Sequence, residues 1–221
     1  MLRSMKDMED YTIGATDGSI GRVKDFYFDD QAWVIRYLIV ATGDESPQRK
    51  VLISPISIGR PNWSEKILPV SLTRAQVRKS PDIDTDKPVS RQHEMGYLGY
   101  YGYGTYWGGG GLWGAGIYPD ELQAGLQNEV SGADARHPGD DVHLRSGNEI
   151  MRYYVHASDG DLGHVQGLIV DEKSWAIRYI IVNTSNWWLG HEVLIAPESL
   201  RISDIRFARP PVARASTPCS R

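Results

Sequence analysis

The fold is decided by Asp17-Gly-Ser-Ile-Gly-Arg-Val23 and the following Trp33-Val-Ile-Arg-Tyr-Leu-Ile-Val40, because the chain contains this pair of segments twice. They return as Asp159-Gly-Asp-Leu-Gly-His-Val165 and Trp175-Ala-Ile-Arg-Tyr-Ile-Ile-Val182, displaced by 142 residues. Working outward, the same shift aligns residues 2–58 with 144–200 without a gap, and 22 of the 57 paired positions are identical. Leu2-Arg-Ser4 matches Leu144-Arg-Ser146, and Val51-Leu-Ile53 with Pro55 matches Val193-Leu-Ile195 with Pro197. Self-similarity at a fixed offset is the signature of a duplicated structural unit. Asp17, Gly18, Gly21, Trp33 and Tyr37 in one copy, and Asp159, Gly160, Gly163, Trp175 and Tyr179 in the other, therefore mark one module built twice.

Each copy reads as a run of short strands. Asp17-Gly18 signals a tight turn, since glycine accepts positive φ without steric cost. Ile20–Phe28 comes next, then the acidic turn Asp29-Asp-Gln31, then Trp33–Ala41, rich in β-branched and aromatic residues. Pro47-Gln48 interrupts the chain before Lys50–Ile53. In copy one, Lys66–Val70 adds a strand, and Thr73-Arg-Ala-Gln76 resembles a capping box opening a short helix before Pro81. Strands this short suit a small closed barrel, which leaves no exposed edge. The expected fold is all-β: two small barrels in tandem, at residues 1–80 and 142–205.

Copy two reads as truncated. Similarity stops near Leu200, and Pro210-Pro211 takes two backbone donors out of the C-terminal stretch. Residues 206–221 are expected to be a disordered tail. A barrel lacking its last strand is expected either to borrow one, from the linker or a second molecule, or to be the less stable copy.

Between the copies, residues 81–141 read as a flexible acidic linker. From Met95 to Tyr118 they hold ten glycines and eight aromatics, and residues 92–150 carry only Arg136 and Arg145 against eight acids. Such a stretch does not bury enough surface to fold alone. The bland reading is a spacer whose aromatics brush the barrels; the sharper one is a sticky segment for self-association or a membrane interface.

Composition bounds the function. The chain of 221 residues has a net charge of −4, which argues against a nucleic-acid partner. Its longest apolar runs are far short of the ~20 residues of a membrane helix. Acids near the N-terminus, at Asp7, Glu9 and Asp10, do not fit a secretion signal. A lone cysteine, Cys219, excludes a disulfide framework and a thiolate metal cluster. A cytoplasmic location is expected.

Candidate sites are few. Asp29-Asp30 and Asp171-Glu172 recur at a hairpin turn, where acids serve local hydrogen bonding more often than a cation. No histidine has a counterpart in the other copy: Gly14, Arg22 and Arg49 stand opposite His156, His164 and His191. No nucleophile elbow or phosphate loop is present, so no enzyme, metal or cofactor is expected. Arg36 and Arg178 lie on strands whose two faces are both apolar, so each face needs cover. That cover is either the module's own short helix or a contact between barrels, with the arginine as polar anchor. In the connection after the second such strand, Asn186-Trp187-Trp188-Leu189-Gly190 stands where copy one has the fully polar Gly43-Asp-Glu-Ser-Pro47. These residues either cap the barrel or form an exposed binding anchor.

Leu-Arg-Ser, the Asp-Gly-x-x-Gly-x-Val turn, the acidic turn, the Arg-Tyr strand and Val-Leu-Ile-x-Pro together resemble the PRC-barrel family. That family includes the cytoplasmic domain of the photosynthetic reaction-centre H subunit and the C-terminal domain of a ribosome-maturation factor. The resemblance covers residues 1–80 in full and 142–203 in part. It implies a six-stranded barrel used for protein contacts, with no catalytic residues, in a scaffold of bacterial type with an unidentified or self-associating protein partner. The alternatives it leaves open are a peripheral membrane or photosynthetic electron-transport accessory and a ribosome-assembly factor.

Overall fold

The computed structural model describes residues 1–43, 49–81, 89, 91–107, 109–124, 144–151, 153–157, 160–184, 191–199 and 205–207. The chain is mostly β, in two sheets of six strands. Copy one supplies β1 (Leu2–Ser4), β2 (Thr12–Ala15), β3 (Gly18–Asp29), β4 (Val34–Thr42), β5 (Arg49–Ile53) and β6 (Ile67–Pro69), then helix α1 (Arg74–Arg78). The middle segment forms α2 (Arg91–Tyr101) and α3 (Pro119–Ala124). Copy two supplies β7 (Leu144–Ser146), α4 (Gly147–Ile150), β8 (Tyr153–Ala157), β9 (Gly160–Asp171), β10 (Ile177–Asn183), β11 (Glu192–Ile195) and β12 (Ile205–Phe207).

The first sheet runs β5-β4-β3-β2-β6 and the second β11-β10-β9-β8-β12. The duplicated motif has a steric cause at Gly21 and Gly163. A Cβ on Gly21 would lie 2.0 Å from the Ala41 carbonyl oxygen, and one on Gly163 would lie 2.0 Å from that of Asn183. Only glycine permits so close a crossing of the hairpin strands. The two tryptophans also correspond. Trp33 and Trp175 both take left-handed φ, at 53° and 58°, and both are buried. Tyr37 pairs with Tyr27 and Tyr179 with Ile169, the same register in each copy.

Three expectations change. The barrels do not close, because β5 and β6 lie at opposite ends of the first sheet. Ile58 bridges Val70, and the Gly59 N–H donates to the Pro69 carbonyl at 2.8 Å, so the chain after β5 reaches β6 without pairing the strands themselves. Copy two does not lack its last strand, since β12 pairs antiparallel with β8, joining Ile205 to Val155 and Phe207 to Tyr153. The strand ends before Pro210, so neither proline interrupts the ladder. In copy one the corresponding edge is taken by β6 in parallel, so the two copies finish differently.

The third change concerns the first strands, which are exchanged. β1 pairs with β9 of copy two, and β7 pairs with β3 of copy one. Each exchange carries an ion pair of 2.8 Å: Arg3 Nε with Glu172, and Arg145 Nε with Asp30. Between them Val34 bridges Ala176, the Ile35 N–H donates to the Trp175 carbonyl at 2.9 Å, and the Ile177 N–H donates to that of Trp33 at 2.7 Å. Every one of these contacts maps onto its counterpart under the 142-residue shift, so the two sheets are joined about a local pseudo-twofold axis.

Candidate functional site

The structure places a buried polar network on the outside of β4. Arg36 and Tyr37 sit at a bulge, where Phe28 faces Ile35 and Tyr27 faces Tyr37, leaving Arg36 as the extra residue. A bulge turns consecutive side chains toward one face. Arg36 is 2% exposed and donates to the Leu112 carbonyl at 2.6 Å. Its guanidinium lies 3.4 Å from Asp29 and stacks over the ring of Tyr106 at 3.9 Å, with Trp113 at 4.8 Å. Burial pulls its pKa below the usual value, and Tyr106, Asp29 and Glu94 oppose that shift.

Glu94 of α2, 2% exposed, accepts from the Tyr37 hydroxyl at 3.1 Å and from the Tyr106 hydroxyl. Burial and then Glu94 push the Tyr37 hydroxyl well above its ordinary pKa. The Tyr97 hydroxyl donates to the Leu52 carbonyl at 3.0 Å and accepts from the Ser54 N–H, tying α2 to β5. Trp113, 1% exposed, donates its indole N–H at 2.8 Å to the Ser174 carbonyl of copy two.

The middle segment is therefore folded against the first sheet over α2 and residues 103–107 and 109–116, which corrects the expectation of a flexible linker there. The composition argument holds only for a segment alone, whereas β4 and β5 offer it an apolar face. The glycines serve this packing: the Gly111 N–H donates to the Gly114 carbonyl and the Trp113 N–H to that of Gly116, closing a tight loop that holds Trp113 inward. The cover over Arg36 is neither of the two expected, the module's short helix or the other barrel. Leu112, Tyr106 and Trp113 provide it.

Copy two presents the same face without that cover. Arg178 is again the bulge residue, its side chain 43% exposed and 3.8 Å from Asp171. Tyr179 is 36% exposed and Leu194 61%, whereas their counterparts Tyr37 and Leu52 are 1% and 3% exposed. A hollow of ≈300 Å³ opens beside Arg178, lined also by Ala32, Trp33, Leu112, Ala176, Ile177 and Glu198.

Of the other expected site residues, Asp17 accepts from the Arg74 N–H at 2.7 Å and so anchors α1. Asp159, Trp187, Trp188 and Leu189 lie outside the described residues. The acidic turns act locally: Asp29 accepts from the N–H groups of Gln31 and Ala32, and Asp171 from the Lys173 N–H and the Ser174 hydroxyl. Sequence reasoning missed Tyr106 and Trp113 as partners of Arg36, and Glu94 as the acceptor of the Tyr37 and Tyr106 hydroxyls. The signal available was a carboxylate on a helix just ahead of the aromatic run.

A second hollow of ≈950 Å³ on copy one is lined by Arg22, Lys24, Arg49, Arg74 and Arg78. Lys24 pairs with Asp10 at 2.5 Å, and Arg49 donates to the carbonyls of Arg78 and Ser80. Among the described residues there is no cluster of three or more histidine, cysteine or acidic side chains that could hold a metal, and no helix long and apolar enough to cross a membrane. No protein-family model matches the chain, and no curated protein matches it.

Proposed function

We propose that the protein is a non-enzymatic scaffold of two PRC-barrel-type modules, and that it binds a protein partner through the outer face of β10 and β11. One observation carries the reading. The same sheet face is buried in copy one, under α2 and residues 103–107 and 109–116, and exposed at Tyr179 and Leu194 in copy two, although Arg36-Tyr37 and Arg178-Tyr179 are identical. Exposed apolar and tyrosine side chains around an arginine are the composition of a contact surface rather than of a solvated one. The six-strand count of each sheet and the glycine-dependent hairpin are compatible with the PRC-barrel resemblance, with the first strand coming from the other copy.

The test is capture of the partner from the native cell on the full chain, compared with a Tyr179→Asp, Leu194→Asp double variant. Both side chains are exposed, so the melting temperature is expected to hold while the captured protein is lost. A partner retained equally by the variant would place its contact elsewhere. The basic hollow on copy one favours a second reading, contact with an anionic membrane surface. Co-sedimentation of the full chain with anionic vesicles, abolished by Arg74→Glu, checks it.

A further inference from the structure

The hollow beside Arg178 is the image, under the pseudo-twofold, of the place that Trp113 occupies. Trp113 sits between Arg36, whose guanidinium lies 4.8 Å from its ring, and Ser174, whose carbonyl accepts its indole N–H at 2.8 Å. The 142-residue shift maps Arg36 onto Arg178 and Ser174 onto Ala32, and both Arg178 and Ala32 line the hollow. Val34, Ile35 and Trp175 likewise map onto Ala176, Ile177 and Trp33, all in its wall. The chain thus has two sockets of one design, one holding an indole and one open.

We infer that the open socket receives a tryptophan from a separate partner protein, carried on a segment with an upstream carboxylate, like residues 94–113 of this chain. This rests on the reading of the β10–β11 face as a partner surface. The chemistry is that of copy one. The indole N–H donates to the Ala32 carbonyl, the ring stacks on the Arg178 guanidinium, and a carboxylate accepts from the Tyr179 hydroxyl as Glu94 accepts from that of Tyr37. A partner acid is also favoured by Arg178, which holds Asp171 only at 3.8 Å.

Among the described residues, the segment 94–113 is committed to copy one. Residues 125–143 contain no aromatic, and residues 208–221 contain neither an aromatic nor an acid. The latter carry Arg209, Arg214 and Arg221, which would meet Arg178 with like charge.

The probe is a synthetic peptide of residues 91–118, titrated into the full chain and read by calorimetry. The tethered segment keeps the first socket filled, because its effective concentration is of order mM. Saturation at one peptide per chain is expected. Changing the peptide's own tryptophan at position 113 to 1-methyltryptophan, which keeps the ring and removes the donor, should weaken binding several-fold; alanine there should weaken it at least about tenfold. Arg178→Glu in the chain should also cost about tenfold or more, with its melting temperature unchanged. No binding, or equal binding of all three peptides, overturns the socket. If capture is still lost in the Tyr179→Asp, Leu194→Asp variant, the contact face then survives without it. An Arg178-dependent dimer of the chain alone, seen by sedimentation, would assign the socket to a second copy and overturn the separate partner.

Discussion

Arg36 and Arg178 occupy identical positions in the repeat, yet replacing them with alanine should have very different consequences. Arg36 is 2% exposed, with contacts to the Leu112 carbonyl, Asp29, Tyr106 and Trp113. Removing it leaves the carboxylate of Asp29, 7% exposed, without the guanidinium that lies 3.4 Å away. Breaking a buried charge set by deleting one partner costs about 3–5 kcal/mol. Arg178, 43% exposed and 3.8 Å from Asp171, falls among surface pairs worth about 0–1 kcal/mol. With a urea slope of about 2 kcal/mol/M, Arg36→Ala should lower the unfolding midpoint by roughly 1.5–2.5 M and Arg178→Ala by less than about 0.5 M. Arg36→Met separates charge from packing. It restores volume but no cation, and should still cost more than about 2 kcal/mol. Equal midpoint shifts for the two alanine variants would refute the placement of Tyr106, Leu112 and Trp113 over Arg36.

Chymotrypsin should spare Tyr97, Tyr106 and Trp113, which are 2%, 4% and 1% exposed, and cut more readily at Tyr100 at 41%; the Arg36→Ala variant should open the protected sites. A chain starting at Met5 should lose hydrogen-exchange protection at Ile169–Asp171 in β9, because β1 pairs there; loss confined to β2 and β3 would contradict the exchange of first strands. Stability should fall as pH rises from about 10 toward 12. Burial pushes Tyr101 and Tyr103 up to about 12, so above pH ~10 the unfolded chain binds fewer protons than the folded one. This contribution is fully present below pH ~10, and urea midpoints at rising pH, with tyrosinate absorbance, check it.

The duplication was legible because glycine at positions 21 and 163 and tryptophan at 33 and 175 answer local constraints that recur in each copy. The strand exchange was not, for a symmetry reason. Leu-Arg-Ser is identical in both copies, as are the Asp29 and Asp171 that begin each acidic turn. Pairing β1 with β3 or with β9 therefore satisfies the sequence almost equally well.

The same degeneracy hid the site. Arg36-Tyr37 and Arg178-Tyr179 are indistinguishable within their own strands, so no local reading separates the covered face from the bare one. The difference lies in the presence of one aromatic, carboxylate-bearing segment for two equivalent faces. Trp113 sharpens this asymmetry, because it lies beside the axis and touches both halves, Arg36 in one and Ser174 in the other. A segment placed there occupies one of two equivalent seats and leaves the other with its arginine, carbonyl and apolar wall intact. Duplication followed by single-sided capping thus leaves one module with its face covered and the other with the same face exposed.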